Sequence, residues 1–451
     1  MKSKSALSCI VGALCVLLVG VSPAFALDGV LGIHDPSTVI VCDGTYYVYG
    51  TGRGIPFLTS ADGFTWKRAS HVFDQVPKEV EAVVPGHTGN GIWAPDVIKV
   101  NDRYFLYYAV SVWDSFESAI GLMTNATLNP ASPNYKWVDG GLVVNSVKGE
   151  DLNAIDPCPC EAPDGRLWLS YGSYHGKIRL VQLNPQTGGR IAPNSPTWNI
   201  SSKSEASYVM HHGDYYYLMV NHGSCCQGKN STYNIRMGRS AKVTGPYLDQ
   251  DGNDLADGAG SLFLASEGTL IGPGQFGRLM DDGVEKFSCH YEADTSKGGR
   301  AVLDIRPLLW TPDGWPAPGE NVKDGTYQVR SKPTATVLQV AAPTDGTPAQ
   351  IGKYAAQDSQ QWTFTAAGGG FYKITGAKSD KALEVAGADK VNIGTYTGAD
   401  DQLWKVDQIS DGSYRLASKV KRLALTATPA GTIAVSPFTG DDDQRWMVVG
   451  P

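Results

Sequence analysis

Short apolar and aromatic runs separated by turn residues fill the chain from Leu27 to about Pro318. Almost no stretch of this region shows the 3.6-residue period of a helix. One example, HDPSTVIVCDGTYYVYG at 34–50, passes from Asp-Pro into a β-branched strand, turns at Asp43-Gly44 and returns as a Tyr-rich strand. Asp-Gly between two such runs is typical of a β-hairpin. The pattern therefore predicts an all-β region.

The same strand–turn–strand pattern occurs four more times, and each copy opens with a similar strand head. These copies are at 93–111, 155–173, 204–223 and 272–292. Four-stranded units that repeat roughly every 50 to 70 residues predict propeller blades. The five units thus predict a five-bladed β-propeller over 27–318. A continuous β-sandwich is the alternative, but it would not explain the shared strand head. In a propeller these heads meet in a pocket at one end of the central channel.

Three repeats of another period follow a Pro/Gly-rich linker at 316–321. They open with GTYQVRS, GFYKITG and GSYRLAS, and they close on Gln-x-Trp at 360–362, 402–404 and 444–446. Successive tryptophans are 42 residues apart. This pattern resembles the ricin-type β-trefoil, a carbohydrate-binding module, and the resemblance implies such a domain over 322–451.

The first 26 residues have the pattern of a signal peptide. Lys2 and Lys4 precede an apolar run at 9–21, and Ala24-Phe25-Ala26 is a cleavage signal. Without this segment the chain has 36 Lys and Arg (38 minus 2) against 45 Asp and Glu. No basic patch suggests nucleic acid, and the apolar run is short for a membrane span. We expect a secreted monomer that binds polysaccharide, with neither nucleic acid nor membrane as a partner.

Six cysteines remain after removal of the predicted signal peptide: Cys42, Cys158, Cys160, Cys225, Cys226 and Cys289. An even number in an exported chain permits disulfides, and six cysteines allow 15 pairings. Their spacing does not match a zinc ribbon, so we assign no metal to them.

Carboxylates stand at the head of three of the five repeats, as Asp35, Asp156 and Glu205. We expect all three at equivalent repeat positions, which would direct them into one pocket. Carboxylates that share a pocket cannot all ionise freely, so their pKa values should separate into those of an acid and a base. Such a pair around a sugar is the chemistry of glycoside hydrolysis.

Four strings at these strand heads resemble glycoside hydrolase family 43, and most closely its arabinan-degrading members. They are HDPS at 34–37, WAPD at 93–96, NAIDP at 153–157 and SEAS at 204–207. The resemblance covers nearly all of 27–318 and implies an inverting mechanism. It assigns Asp35 as general base, Glu205 as general acid, and Asp156 as the residue that raises the pKa of the acid and orients it.

The resemblance also implies substrate contacts. Trp93 matches a position that stacks on sugar, Trp113 an aromatic residue beside the pocket and Ser173 a polar contact, and His34 adjoins the base. Binding suits Trp93 because the apolar face of a sugar needs an aromatic platform. For Trp113 and Ser173, ordinary blade packing is an equal alternative.

Gln275 departs from the family pattern, because arabinanases usually have His after this Gly-Pro-Gly, where it helps to hold a central ion. Gln is a poor replacement for imidazole as a ligand. We therefore expect no required cofactor, and Gln275 argues against a structural Ca or Na ion in the channel. His290 is the residue that would have to compensate. Gln275 can still contact the substrate.

In the trefoil, the polar and aromatic ligand positions of the family fall on Gln339 and Tyr354, on Glu384 and Tyr396, and on Thr426 and Phe438. The middle repeat keeps an acid and a Tyr and is the best predicted sugar site. The third repeat has lost its polar partner, so we expect it to be structural. The Gln-x-Trp residues themselves are scaffold.

The leading hypothesis is an enzyme that hydrolyses α-1,5-arabinan by endo action. An exo-acting furanosidase that releases arabinofuranose or galactofuranose is the second hypothesis. A lectin with an inactive propeller is a third, which the intact set of three carboxylates disfavours. A retaining fructan-cleaving propeller is more remote.

Overall fold

The computed structural model describes residues 27–450 except residues 88, 90, 114 and 175. It confirms an all-β chain with a five-bladed propeller followed by a β-trefoil. Within the described residues, no helix is long and apolar enough to cross a membrane. The predicted signal peptide at 1–26 lies outside the part of the chain that is described.

The first two blades are built from consecutive strands. Blade 1 contains β1 (Asp28–Gly29), β2 (Ile40–Cys42), β3 (Thr45–Tyr49), β4 (Pro56–Ser60) and β5 (Thr65–His71). A short helix α1 (Lys78–Glu81) leads to blade 2, which contains β6 (Ile92–Val100), β7 (Arg103–Ser111), β8 (Ser118–Asn125) and β9 (Val138–Ser146). Strands β2 to β9 pair antiparallel within their blades, whereas β1 runs parallel to β5 at the outer edge of blade 1.

The other three blades have four antiparallel strands each. Blade 3 contains β10 (Cys158–Glu161), β11 (Leu167–Tyr171), β12 (Lys177–Leu183) and β13 (Thr197–Ser202). Blade 4 contains β14 (Glu205–His212), β15 (Tyr215–His222), β16 (Asn234–Ser240) and β17 (Ser261–Leu264). Blade 5 contains β18 (Leu270–Asp281), β19 (Val284–Asp294), β20 (Arg300–Trp310) and β21 (Pro316–Pro318).

Successive side chains of each inner strand point to opposite faces, so each blade packs against both of its neighbours. This packing closes the ring of blades. In β7, Phe105 belongs to the apolar core shared with blade 3, and the next residue, Leu106, belongs to the core shared with blade 1. Further cores join blade 3 to blade 4 and join blade 1 to blades 4 and 5. Both faces of the inner strands must therefore be apolar, which explains the Tyr-rich runs of the sequence.

The trefoil is one twelve-stranded sheet. Its strands are β22 (Gly325–Ser331), β23 (Val337–Val340), β24 (Ala349–Gly352), β25 (Trp362–Ala366), β26 (Phe371–Gly376), β27 (Lys381–Ala386), β28 (Lys390–Thr395), β29 (Leu403–Gln408), β30 (Tyr414–Ser418), β31 (Ala424–Ala427), β32 (Ile433–Ser436) and β33 (Trp446–Val449). Short 3₁₀ helices lie at 228–230, 255–257, 295–297, 358–360, 400–402 and 442–444.

The three Gln-x-Trp tryptophans form the centre of the trefoil. Trp362, Trp404 and Trp446 are fully buried. Their indole N–H groups donate to the carbonyls of Leu338, Leu383 and Leu425 at 2.8–2.9 Å. The repeated contact confirms the predicted scaffold role of the motif.

Buried charges join the trefoil to blade 5, which the short linker alone did not predict. The Lys286 ammonium lies 2.7 Å from Asp281 of the same blade and 3.1 Å from Asp407 of the trefoil. Lys405 of the trefoil lies 2.9 Å from Asp281. Asp281 ends β18 six residues after Gln275, which is roughly 20 Å along an extended strand. The trefoil therefore docks at the end of the channel away from the strand heads.

Candidate active site

The heads of the five inner strands share one backbone bend. A residue with positive φ marks this bend in each blade: Asp35 (47°), Ala94 (32°), Asp156 (53°), Ala206 (52°) and Gln275 (56°). Positive φ is uncommon for residues other than glycine. Its recurrence at the same place in five blades therefore marks equivalent positions around the channel.

This equivalence corrects the predicted alignment of the three acids. Asp35 and Asp156 are at the bend, but in blade 4 the bend residue is Ala206 and Glu205 precedes it. Glu205 thus corresponds to His34 of blade 1. Glu205 still lines the same cavity as the other two acids, as His34 does.

All eight residues predicted for the propeller site line one cavity. They are His34, Asp35, Trp93, Trp113, Asp156, Ser173, Glu205 and Gln275. The sequence had not assigned Asn153, Tyr233, Cys225 or Cys226 to this cavity, although they also line it. Asn153 donates from its amide to the Ser173 hydroxyl at 3.1 Å, so it orients a residue that was predicted as a polar contact.

Asp35 is held as a carboxylate. Burial alone would raise its pKa, but the adjacent His34 imidazolium lowers the pKa below the usual range. His34 Nδ1 donates to Asp35 Oδ2 at 2.8 Å, and the Thr51 hydroxyl donates to the same oxygen at 2.6 Å. Thr51 is itself oriented by the amide of Ala94, which donates to its hydroxyl at 2.8 Å.

The other two acids are shifted in the opposite direction. Burial, and then the negative charge of Asp35, raise the pKa of Asp156 to about 7. Burial and the charges of Asp156 and Asp35 raise the pKa of Glu205 well above its usual value. The amide of Ala206 donates to Asp156 at 3.1 Å, which lowers the pKa of Asp156 in part. The cavity therefore favours the ionised form of Asp35 and the protonated form of Glu205.

Two residues of β19, His290 and Glu292, contact the imidazole of His34. Glu292 accepts from Nε2 of His34 and from Nε2 of His290, both at 3.2 Å, and the two imidazole rings stack with centroids 4.8 Å apart. Burial alone would lower the pKa of His34, but Asp35 and Glu292 raise it to about 11. The sequence offered one signal: His290 and Glu292 are two residues apart and so share a face of the strand.

Two sets of side chains in this group have the spacing of metal ligands: His34, Asp35 and His290, and His34, Cys226 and Glu292. Each nitrogen of His34 faces a carboxylate oxygen, that of Asp35 at 2.8 Å and that of Glu292 at 3.2 Å. His290 accepts the amide N–H of Asp35 at Nδ1 (3.2 Å), and its Nε2 faces Glu292. Both nitrogens of both rings are therefore engaged, and Gln275 supplies no imidazole. We assign no metal to the mechanism, and the sequence-based view of the channel ion stays a prediction.

Two tryptophans form an aromatic corner of the cavity. The rings of Trp93 and Trp113 lie 6.2 Å apart at 74°. Trp93 is half-buried, whereas Trp113 is 71% exposed. An exposed Trp is not ordinary blade packing, so the structure favours a surface role for Trp113.

The trefoil ligand positions are oriented by the buried glutamines of Gln-x-Trp. Gln402 donates to the Glu384 carboxylate at 2.8 Å, and Gln360 donates to Gln339 at 2.7 Å. Tyr396 is exposed beside the Glu384 strand. In the first repeat, the hydroxyl of Tyr354 accepts from Gln328 at 2.9 Å. The scaffold glutamines thus position the polar groups predicted to bind sugar.

The third trefoil repeat takes part in docking. The guanidinium of Arg415 lies 5.1 Å from the ring centroid of Phe438 and binds the buried Asp407 at 2.7 Å. Arg415 also donates to the carbonyl of Asp282 in blade 5 at 2.6 Å. The repeat that was predicted to be structural therefore contacts the propeller.

Comparison with known families agrees with both domains. The family model for glycosyl hydrolases family 43 matches residues 30–316. The model for ricin-type beta-trefoil lectin domain-like proteins matches residues 309–397 and 358–436.

The relatives match about two thirds of this chain. The extracellular exo-α-(1→5)-L-arabinofuranosidase ArbA of Cellvibrio japonicus is 37% identical over 66% of this chain and 90% of its own length. The extracellular endo-α-(1→5)-L-arabinanase 1 of Bacillus subtilis is 34% identical over 63% of this chain and 87% of its own length. The crystal structure of an exo-1,5-α-L-arabinanase from a bovine ruminal metagenomic library superposes with a TM-score of 0.62 and 36% identity, over 66% of this chain and all of that one. The chain belongs to glycosyl hydrolases family 43 and carries a C-terminal ricin-type β-trefoil.

Proposed function

We propose that this enzyme is a secreted arabinan endo-1,5-α-L-arabinosidase that acts with inversion. The proposal is carried by Asp35 and Glu205 lining one cavity with their pKa values shifted in opposite directions, as acid–base glycoside hydrolysis requires. The substrate class follows from the relatives, whose names specify α-1,5-linked arabinan or arabinofuranosyl units.

The proposed reaction is one displacement at the anomeric carbon. Asp35 takes a proton from a water molecule as the water oxygen bonds to this carbon. The bond to the glycosidic oxygen breaks at the same time, and Glu205 gives its proton to the leaving oxygen. Attack from the face opposite the leaving group inverts the configuration. Asp156 raises the pKa of Glu205 so that the acid carries its proton when substrate binds.

The surrounding residues prepare these groups. His34 and Thr51 hold the Asp35 carboxylate in one orientation through two hydrogen bonds. Trp93 provides a face on which a furanose stacks, and Trp113, whose ring stands at 74° to it, adds a second aromatic surface nearer solvent. Two aromatic surfaces suit a polymer that continues beyond the cleaved unit.

An exo-acting enzyme is the second candidate. Both the Cellvibrio relative and the ruminal structure are named as exo enzymes, so family membership alone does not choose the mode. The released sugar would then be a single furanose, arabinose or galactofuranose.

Product analysis on linear debranched arabinan tests the proposal. We expect a ladder of oligosaccharides at early times, with the Glu205→Gln variant as the inactive control. Free arabinose from the first time points would establish exo action instead. No product from arabinan, with release from a galactofuranoside, would overturn the substrate class. Wild-type protein that cleaves none of these substrates would support a lectin.

The trefoil is proposed to hold the enzyme on polysaccharide through Glu384 and Tyr396, with Gln339 and Tyr354 as a second site. Tethering raises the local concentration of polymer near the propeller. The proposed secretion agrees with relatives that are named as extracellular, and a monomer remains our expectation.

A further inference from the structure

Two adjacent cysteines form part of the active-site cavity wall. Cys225 and Cys226 are bonded to each other as a disulfide in the loop between β15 and β16, and both line the cavity. The remaining cysteines of the described chain, Cys42, Cys158, Cys160 and Cys289, are buried and unpaired. The disulfide thus joins sequence neighbours and ties no distant parts of the fold together.

The sulfur pair lies next to the proposed catalytic machinery. Cys226 Sγ is 4.0 Å from Nε2 of His34, whose other nitrogen donates to Asp35. The cysteines come from blade 4, whereas Trp93 comes from blade 2. These blades are not neighbours in the ring, so a sugar bound at the strand heads would lie between the disulfide and the aromatic corner.

The base of the loop is fixed by hydrogen bonds that do not involve sulfur. The Ser224 amide donates to the Thr232 hydroxyl at 2.9 Å, and the Thr232 amide donates to the Ser224 carbonyl at 3.0 Å. The Gln227 amide donates to the Ser231 hydroxyl at 3.1 Å. Loss of the sulfur–sulfur bond would therefore change the wall locally and leave the loop attached.

We propose that the Cys225–Cys226 disulfide is a substrate-contacting wall of the pocket, and that a dithiol reductant weakens sugar binding by opening it. The inference rests on the proposed function, since it takes a furanoside as the ligand. A disulfide presents polarisable, apolar sulfur without a strong hydrogen-bond donor, a surface suited to the C–H face of a sugar.

Reduction changes both the shape and the chemistry of this wall. A dithiol such as dithiothreitol supplies two electrons and two protons: the sulfur–sulfur bond breaks, two thiols form, and the reductant closes into its own cyclic disulfide. The two sulfurs then separate beyond bonding distance, and each thiol can rotate away from the sugar.

Thiol counting tests the bond itself. The chain that starts at Leu27 should show four thiols when it is denatured without reductant, and six after treatment with dithiothreitol. Six thiols before treatment would contradict the proposal.

Kinetics test the role of the bond in binding. With a short arabino-oligosaccharide, dithiothreitol should raise KM by about tenfold, the size of effect that one lost apolar contact produces. The value of kcat should change little, because Asp35 and Glu205 remain in place. Removal of the reductant and reoxidation should restore KM.

The Cys225→Ser, Cys226→Ser double variant is the matched control. It should show the raised KM without reductant and no further response to dithiothreitol. An unchanged KM after full reduction of the wild-type enzyme would overturn the proposal, as would a double variant that still responds. Failure of the untreated enzyme on arabinan would instead contradict the proposed function; the thiol test and the reductant test would then use whichever furanoside is cleaved.

Discussion

Asp35 and Glu205 carry the same functional group but occupy different electrostatic surroundings. Asp35 has an imidazolium on one side and a hydroxyl donor on the other. Glu205 has two carboxylates as neighbours, and its pKa is raised by burial and by their charges. The roles of base and acid follow from these neighbours and not from the side chains themselves.

The first prediction concerns the leaving group. Glu205→Gln should lower kcat on arabinan by about 10²–10⁴-fold, because the leaving oxygen then departs without a proton. On a 4-nitrophenyl furanoside the loss should be much smaller, since nitrophenolate leaves well without protonation. The measurement is kcat on both substrates. Equal losses on the two would contradict the role of Glu205 as general acid.

The second prediction concerns pH. In the wild type, His34 lowers the pKa of Asp35, so the base stays ionised to low pH. His34→Gln removes this positive charge, the pKa of Asp35 rises, and the acidic limb of kcat/KM should move to higher pH. Asp35, Glu292, His290 and the Cys226 sulfur face this side chain. An acidic limb that does not move would show that His34 does not control the base.

For single residues, the sequence predicted eight of those that line the cavity, because the repeats and the family motifs both indicate the heads of the inner strands. It missed that Glu205 precedes the bend and that Glu292 bridges two imidazoles. These facts depend on backbone dihedrals and on the distance between blades 1 and 5, and neither follows from spacing along one strand. It also left the cysteine pairing open among 15 alternatives.

The inner strands of three blades depart from regular pairing close to the cavity. The pairing of β6, β14 and β18 with their neighbours shifts register between Trp93 and Asp96, between Glu205 and Tyr208, and between Gly274 and Gly277. Such β-bulges redirect side chains and are frequent beside active sites. The sequence predicted the strands from their alternation, but Asp, Ala and Gln at the bend give no common signal for positive φ.

The third prediction compares equivalent trefoil glutamines. Gln402 holds Glu384, and Gln444 makes the same kind of bond to Thr426 at 3.3 Å. Replacement of either by Leu removes buried hydrogen bonds and should lower the free energy of unfolding by about 1–3 kcal/mol. Gln402→Leu alone should also weaken binding of the inactive Glu205→Gln enzyme to insoluble polymer, measured by pull-down. Equal binding by the two variants would contradict a middle-repeat sugar site.

For the whole molecule, the repeats predicted both domains, but the docking between them was not predictable. Lys286 and Asp407 are separated by 121 residues (407 minus 286), and either could have been a solvated charge. In the structure both are buried; burial alone would raise the pKa of Asp407, but Lys286, Lys405 and Arg415 together lower it to about 2. Because the trefoil docks away from the pocket, it can tether polymer but cannot extend the catalytic groove. Deletion of residues 322–451 would also remove Asp407, one of the ion-pair partners of Lys286. Point variants in the trefoil therefore test tethering without removing this contact.

The fourth prediction concerns the stability of this interface. Asp407→Asn leaves Arg415 without a buried counter-charge and leaves Lys286 with Asp281 alone, so it should lower the free energy of unfolding by about 3–5 kcal/mol. Asp400→Asn is the control, because its ion pair with Lys419 (2.8 Å) is exposed and should contribute less than about 1 kcal/mol. Denaturant unfolding measures both. Equal small effects would show that the interface charges do not hold the domains together.

The stereochemistry of the first product tests the central claim, that Asp35 and Glu205 cleave an α-linked furanoside in one displacement. Inversion requires room for a water molecule, with the two carboxyl groups about 6.5–9.5 Å apart. Proton NMR of the reaction with an α-linked arabino-oligosaccharide, recorded before the anomers equilibrate, shows which anomer forms first. We predict that the β-anomer appears first and then equilibrates. First appearance of the α-anomer would establish retention and contradict the proposed roles of both residues.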